Sequence, residues 1–340
     1  MKKGVRELLE AIIARQDLSA RETEEIFTQV MAGEWSPAQL GALLMGLRMK
    51  GERVEELVGA TRALRSIMTR VRVADDHLVD TCGTGGDACH TFNISTTSAI
   101  VAAAAGARVA KHGNRAVSGR SGSADVLEAL GLRLDLDPAQ VAQSIESIGI
   151  GFLFAPAHHG AMRHAVGPRK ELGIRSLFNL MGPLSNPALA PNQVLGVYAE
   201  SWLIPLAEAA RELGARHVLV VHGLDGLDEI SLSGPTEVAE LKDQQIIRYR
   251  IRPEDFGLPS APLAALQIRD VAHAAEIFQA VLQNQAGPCR DVVLLNAGAA
   301  LYAAGVVGNL ASGVARARDV LESGAAWSKW QDLLHFSQEC

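Results

Sequence analysis

Between His77 and Gly113 four segments follow one another with no linker. "HLVDT" is a short apolar strand, "CGTGGDACHTF" a glycine-rich turn, "NISTTSAIVAAAAGA" a helix that begins near Asn93 and is stopped by Gly106, and "RVAKHG" a second short strand. A strand, a helix and a strand in this order form a βαβ unit, which demands a parallel sheet with helices laid over its faces. The rest of the chain continues the alternation. "SADVLEALG" reads as a helix closed by Gly131, and "DPAQVAQSIESIG" as a helix with Asp137 at its cap and Pro138 in its first turn. "IGFLFAP", "VLGVYA", "HVLVVHG" and "EISLS" read as strands, and "DVVLLNAGAALYAAG" as a strand end running into a buried helix. The fold class is α/β with a mostly parallel central sheet. An apolar share of 48% with only 4% aromatics, carried by Ala, Leu, Val and Ile, suits helices packed on a buried sheet.

Residues 1–74 carry no strand signal. "LLEAIIA" has helical spacing, and "SARE" from Ser19 and "SPAQ" from Ser36 are capping boxes, the second with Pro37 in the first turn. They predict a small N-terminal helical domain. The stretch 160–185 is again helical and unusually basic. No internal repeat or low-complexity linker marks a boundary, so the chain can cross between domains more than once.

Net charge excludes some partners. At −6, with a pI near 5.9, the chain lacks the broad basic surface of a nonspecific nucleic-acid binder. No apolar run reaches the ~18 residues of a membrane helix. Glu7 and Glu10 place negative charge soon after Lys2 and Lys3, so the N-terminus does not read as a signal peptide. Cys82, Cys89, Cys289 and Cys340 form no CxxC pair and are expected as reduced thiols. The expectation is a soluble, cytoplasmic protein.

Four stretches carry chemistry. The turn holding Gly83, Gly85 and Gly86 joins a strand to a helix, where bare backbone N–H groups and the helix N-terminus favour phosphate. Asn93, Ser95 and Thr96 stand where an amide and hydroxyls can bind phosphate oxygens or a metal. The same glycines would also serve a plain tight turn. "KHGNRAVSGRSGS" from Lys111 follows the next strand and opens at the same sheet edge, bringing Lys111, Arg115 and Arg120 together with Asn114, Ser118, Ser121 and Ser123. Two such loops side by side would cradle a molecule with several phosphates. "HGLDGLDEIS" holds Asp225, Asp228 and Glu229, either a solvated acidic turn or carboxylates for Mg²⁺ whose remaining ligands come from substrate phosphates. The basic stretch holds Arg163, His164, Arg169, Lys170 and Arg175, either a solvated face or a carboxylate site. His158 and His159 have no ligand spacing with a third partner and read as structural or pocket-lining. No Ser-His-Asp or Cys-His arrangement offers a covalent nucleophile.

"DTCGTGGD", "TFNIST", "VAKHGNR", "GSADVLEALG", "FLFAPAHHGAMRH", "RKELGIRSLFNLMGPLSNPA" and "GLDE" occur in this order, and together they resemble the anthranilate phosphoribosyltransferases over about residues 5–330. The resemblance implies a small helical domain and a large α/β domain of the nucleoside phosphorylase/phosphoribosyltransferase-like fold. It divides the chain into a helical domain 1–74 with a returning segment at about 165–190, and an α/β domain at 75–164 and 191–340. It implies a homodimer formed through the helical domain, and transfer of phosphoribose from phosphoribosyl pyrophosphate (PRPP) to the amine of anthranilate with Mg²⁺. The PRPP contacts it implies are Gly83, Thr84, Gly85, Gly86 and Asp87, then Thr91, Asn93, Ile94, Ser95 and Thr96. A second loop adds Lys111, His112, Gly113, Asn114, Arg115, Ala116, Val117, Ser118, Gly119 and Ser123. The metal falls to Ser95, Asp228 and Glu229. Anthranilate falls to Gly83, Asn114 and Arg169, with His112 and Pro183 lining its approach. Ala88 and Gly119 depart from the family's common glycine and serine, and Gly160 from a frequent proline; none removes a charge the chemistry needs. The rivals are a pyrimidine nucleoside phosphorylase-like enzyme, a non-catalytic nucleic-acid-binding relative of the same fold, and an enzyme for a related aromatic acceptor. The acidic balance and intact loops speak against the nucleic-acid reading.

Overall fold

A computed structural model describes residues 4–116 and 119–340. The chain opens with helices Val5–Ile13, Ala20–Met31, Pro37–Lys50 and Val54–Ile67. Their starts obey local chemistry. The Glu22 backbone N–H donates to the Ser19 hydroxyl while the Ser19 N–H donates to the Glu22 carboxylate, and Ser36 and Gln39 repeat the exchange. Each cap contributes about 1 kcal/mol by pairing donors the helix cannot pair itself. Helices Ala20–Met31 and Val54–Ile67 cross so closely that a Cβ on Gly59 would lie 2.1 Å from the Ala20 carbonyl oxygen. Two later helices, Arg163–Leu172 and Leu177–Met181, return to this bundle. Phe178 meets Phe27 edge-on at 5.6 Å, and Leu177 and Leu180 join the core formed by Leu43, Leu47 and Leu57.

The sheet has seven strands: β1 (Leu78–Gly83), β2 (Arg108–Gly113), β3 (Ile150–Phe154), β4 (Asn192–Gly196), β5 (His217–Gly223), β6 (Thr236–Lys242) and β7 (Gln245–Ile251). Their spatial order is β3-β2-β1-β4-β5-β6-β7, parallel through β5 and antiparallel from β5 to β7. Alternate residues of β5 serve two cores. Leu219 and Val221 pack under helices Ile94–Ala104 and Pro288–Ala303, whereas Val218 and Val220 share a core with the helical bundle. This period-2 alternation seats the bundle directly on one sheet face.

The structure corrects the sequence in three places. "EISLS" is not a strand: residues 229–233 are irregular and precede β6. Side chains satisfy this backbone instead, with Asn296 pairing Ile230 and the Thr236 hydroxyl accepting from the Ser231 N–H at 2.9 Å. "DVVLLN" is no strand end but part of helix Pro288–Ala303, whose residues Val292–Leu301 are all buried. A helix buried on every side has no apolar period to distinguish it from a strand. The hairpin β6–β7 is an addition to the strands expected from sequence; its turn runs through Asp243 and Gln244, both in the left-handed region at φ 50° and 63°.

Candidate active site

Strand order reverses at β1, whose neighbours are β2 on one side and β4 on the other. In open α/β sheets ligands bind in the crevice at the carboxyl ends of such strands. There Gly83 of β1 pairs with Gly196 of β4. The acidic loop after β5 lies across both. A Cβ on Gly196 would stand 1.6 Å from the Asp228 carbonyl oxygen, and one on Gly83 would stand 2.4 Å from Asp228 Oδ2. These two glycines allow the acidic loop to lie on the sheet edge.

The first glycine loop has a different reason for its composition. Gly85, Gly86, Ala88 and His90 all have positive φ, at 68°, 75°, 61° and 56°. Ala88, where the family commonly has glycine, thus holds a left-handed conformation that costs a side-chain-bearing residue roughly 1–2 kcal/mol. A Cβ on Gly85 would meet no protein atom within 4 Å, so the space above it is open. The Gly85 N–H donates to Asp228 Oδ2 at 2.8 Å, and the Thr84 N–H donates to the Gly196 carbonyl at 2.9 Å. Arg175 donates to the Gly86 carbonyl and stands over the Tyr198 ring at 4.3 Å, while the Tyr198 N–H donates to the Thr84 hydroxyl. Asp87 accepts from the Cys89 N–H. The far limb is pinned to segment 266–268 by the Thr91–Gln267 bridge and by the Phe92 N–H on the Leu266 carbonyl.

Asn93 caps helix Ile94–Ala104 and accepts from the Ser121 hydroxyl at 3.0 Å. Ile94 is a core side chain, 1% exposed. The Ser95 N–H donates to Glu229 at 3.2 Å, and the Thr96 hydroxyl is buried without a partner among the described residues.

The second loop leaves β2 beside the first. Lys111 is buried, and its charge acts on both Asp80 and Glu229. The His112 N–H donates to Asp80 Oδ1 at 3.1 Å. Gly113 is required by packing, because a Cβ there would lie 2.2 Å from the Ser123 hydroxyl and 2.7 Å from the Phe152 ring. The same hydroxyl accepts from the Asn114 N–H at 3.1 Å. Asp125 Oδ2 takes the N–H groups of Ala116 and Gly122. Arg115 is not the free cation the sequence suggested. Its guanidinium makes a fork to Glu128 at 2.6 and 2.8 Å and reaches Asp125 at 3.3 Å. Arg120 donates to the Ile268 carbonyl, and Gly119 has no neighbour that a Cβ would touch. Val117 and Ser118 lie outside the described residues.

Asp228 and Glu229 are half-buried carboxyls at the carboxyl edge of the sheet. Burial, then the nearby Asp87 and Glu229 charges, raises Asp228 well above the carboxylate range. Burial pushes Glu229 up to about 7, with the Lys111 ammonium opposing the rise. Two desolvated acids that repel each other fit a hard dication that takes oxygen ligands, and the Ser95 hydroxyl, bonded to Glu229, adds a third oxygen. Among the described residues no group of three His, Cys, Asp or Glu side chains is placed to hold a metal alone, so a metal held by this pair would need further oxygens from outside those side chains. Asp225 is engaged elsewhere. Its Oδ1 accepts from the Leu227 N–H and its Oδ2 from the Ser231 and Ser233 hydroxyls, so it ties the loop together.

Beyond the second loop lies a wall of neutral imidazoles. His112 and His159 approach Nε2 to Nε2 at 3.3 Å, and His158 Nδ1 lies 3.0 Å from the Thr69 carbonyl. Burial lowers all three, and His159 falls to about 4. The sequence assigns His112 to the approach but leaves His159 as structural or pocket-lining; the parallel pairing of β2 with β3 brings His112 beside the segment that follows β3. Pro183 is buried, its carbonyl accepting from Gln193 at 2.8 Å, and the preceding Gly182 hydrogen-bonds His112 through its backbone. Arg169 is half-buried with its guanidinium 4.9 Å over the Phe178 ring. It has no hydrogen bond or acid partner among the described residues, and burial lowers its pKa. Arg163 and Lys170 on the same helix are exposed, and the His164 ring covers Gly33. Of the helix's cations, Arg169 alone combines partial burial with a ring beneath it.

The histidine wall gives a pH test. A histidine whose folded pKa lies below its unfolded value binds its proton more readily when unfolded, so stability is lost as pH falls from about 6.5 toward 4. His159→Gln removes that loss. Between pH 7 and pH 5 the variant should gain about 2 kcal/mol on the wild type in urea unfolding. An equal difference at both pH values would mean that His159 is not held neutral.

Residues 6–68 match the family described as "Glycosyl transferase family, helical bundle domain", and residues 75–327 match "Glycosyl transferase family, a/b domain". The chain is 76% identical to an anthranilate phosphoribosyltransferase of Acidithiobacillus ferrooxidans over 97% of its own length and 98% of that protein. It is 56% identical to one of Thioalkalivibrio sulfidiphilus over 99% of each. Among solved structures it is similar to anthranilate phosphoribosyltransferase from Thermus thermophilus, with a TM-score of 0.92 at 45% identity over 97% of this chain and 99% of that one. It is also similar to the Saccharomyces cerevisiae enzyme in complex with PRPP and Mg, with a TM-score of 0.91 at 25% identity over 99% and 98%.

Proposed function

The chain belongs to the anthranilate phosphoribosyltransferase family, and we propose that the crevice bounded by Gly83, Gly196 and the Gly113 loop is where its reaction runs. The protein transfers the phosphoribosyl group of PRPP to the amine of anthranilate and releases pyrophosphate. Neither a pyrimidine nucleoside phosphorylase nor a nucleic-acid-binding relative is favoured by relatives of this identity. One observation carries the proposed site: a half-buried pair of carboxylates, one of them hydrogen-bonded to the Gly85 N–H, faces a glycine loop whose backbone lies open above Gly85.

The diphosphate of PRPP would take the backbone N–H groups of Gly86 and Asp87, beside the open face of Gly85, and the ammonium of Lys111. Asp228, Glu229 and Ser95 would hold Mg²⁺, which supplies positive charge against the negative charge that grows on the departing pyrophosphate. Asn114 and the loop anchored by Ser123 and Asp125 would hold the rest of the phosphoribosyl group. Arg169 would take the anthranilate carboxylate, with His112, His159 and Pro183 as uncharged walls. The neutral amine nitrogen attacks ribose C1 as the bond from C1 to the pyrophosphate oxygen breaks, and the amine then loses a proton. Held substrates supply the orientation term, and no covalent enzyme intermediate is needed.

Arg169→Ala tests the acceptor site. A charge-assisted pair is worth about 1.5–3 kcal/mol, so KM for anthranilate should rise roughly ten- to a hundredfold while KM for PRPP stays nearly constant. An equal rise in both would remove Arg169 from the acceptor site. The reaction itself is followed by loss of anthranilate fluorescence in the presence of PRPP and Mg²⁺; phosphorolysis of a nucleoside with no such loss would overturn the assignment.

We also propose a homodimer formed through the helical bundle, supported by the exposed Met45 and Met49 one turn apart on helix Pro37–Lys50, and checked by sedimentation. A cytoplasmic location is supported by four free thiols. No helix among the described residues is long and apolar enough to cross a membrane.

A further inference from the structure

Helix Pro288–Ala303 is apolar and buried through its middle, with one amide side chain inside it. Asn296 is 2% exposed and uses that amide fully. Its Oδ1 accepts from the Ile230 N–H at 3.0 Å, and its Nδ2 donates to the Ile230 carbonyl at 2.9 Å and to the Val292 carbonyl at 2.9 Å. These three bonds fix which way the amide faces, because a flip would set donor against donor and acceptor against acceptor. Asn296 therefore pairs with Ile230 as a neighbouring strand would, though it stands on a helix. Ile230 directly follows Asp228 and Glu229.

The loop is held at its other end as well. Asp225 gathers the Leu227 N–H and two serine hydroxyls. Between the two anchors, the Asp228 carbonyl lies against Gly196. A buried polar side chain in an apolar helix weakens its packing unless all its bonds are made, and here every bond but the local one to Val292 goes to the residue beside the acid pair.

We propose that Asn296 is a positioning residue for the Asp228–Glu229 pair: from the buried helix it fixes the backbone at Ile230 and so sets the spacing at which the two carboxylates receive a divalent cation. This rests on the reading of that pair as metal ligands. Asn296 touches no reacting atom; it acts through the loop. Anchors behind metal ligands commonly change metal affinity by about 10–100-fold when removed.

The test uses the full-length protein with Mn²⁺ and inorganic pyrophosphate, reading free Mn²⁺ by electron paramagnetic resonance, so that no turnover is involved. Asn296→Leu removes all three bonds; Asn296→Ser is smaller and serves if the leucine variant does not fold. Either folded variant should bind Mn²⁺ at least about tenfold more weakly, with the Mg²⁺ needed for half-maximal rate rising in step and KM for anthranilate unchanged. Leu301→Ala, on the same buried helix but away from the loop, controls for general loosening. Mn²⁺ affinity within about twofold of wild type in the Asn296 variants would overturn the proposal, as would an equal loss in Leu301→Ala. Asp228→Asn with Glu229→Gln separates the two ideas. If that protein binds Mn²⁺ normally, the metal reading itself fails. If it does not, while the Asn296 variants do, only the positioning role fails.

Discussion

A protein carrying Asp228→Asn and Glu229→Gln should melt above the wild type at pH 8 and yet lose at least ~100-fold in kcat, the scale of losing one strong electrostatic contributor to a transition state. The two effects share one cause. Glu229 rises from its ordinary 4.5 to about 7 because its carboxyl is desolvated, and Asp228 is raised too, first by desolvation and then by the Asp87 and Glu229 charges. A carboxyl whose folded pKa is raised gives stability that is complete below the unfolded pKa and lost as pH rises through the folded one. At pH 8 the ligand-free wild type therefore carries a penalty, at most of the order of 3 kcal/mol for Glu229, that the neutral pair avoids. Below about pH 3, under both unfolded pKa values, the difference in melting should vanish. Asn still accepts from the Gly85 N–H and Gln from the Ser95 N–H, so the loop keeps its shape. Added Mg²⁺ should restore part of the rate by mass action. Wild-type kcat across a Mg²⁺ titration would show that these carboxylates hold no metal, and an unchanged melting profile would show that their burial carries no strain.

Gly196→Ala should be nearly as damaging by another route. Its Cβ would sit 1.6 Å from the Asp228 carbonyl oxygen, well inside contact distance, so the acidic loop must leave the sheet edge. Overpacking of this kind costs about 1–3 kcal/mol of stability, and displacing catalytic groups by about 1 Å can cost roughly 10²-fold in rate. We expect kcat/KM for PRPP to fall by at least ~100-fold, with a lowered Tm. Gly85→Ala makes the contrast. No protein atom stands near its Cβ, so its stability cost is only the left-handed backbone, roughly 1–2 kcal/mol. Its effect should appear in PRPP affinity by calorimetry. Normal PRPP affinity in Gly85→Ala would mean that the open loop serves the turn alone; near-normal kcat/KM in Gly196→Ala would mean that the acidic loop need not touch β4.

The features legible in the sequence are those settled by near neighbours. Ser19 with Glu22, Ser36 with Gln39 and Asp137 with Gln140 close their caps within three residues, so four-residue motifs suffice to place helix starts. The βαβ alternation puts the glycine loops at one sheet edge for a similar reason, since chain direction in a parallel sheet leaves no other edge for both. What the tertiary structure alone decided depends on partners far apart in the chain. Glu128 takes the Arg115 charge from the next helix, and the Arg169 guanidinium lies over Phe178 with no acid partner among the described residues. Asp225 looks equivalent to Asp228 in sequence, yet hydroxyls saturate one and burial raises the other. Gly196 sits among ordinary strand residues, and nothing local reveals that Asp228 crosses it. Asn296 lies inside an apolar run that reads equally as strand or helix, and its amide gains meaning only from Ile230, 66 residues earlier. Backbone conformation is biased by side chains one turn away, but the charge, burial and spacing of a site are set by whichever segments the sheet brings together.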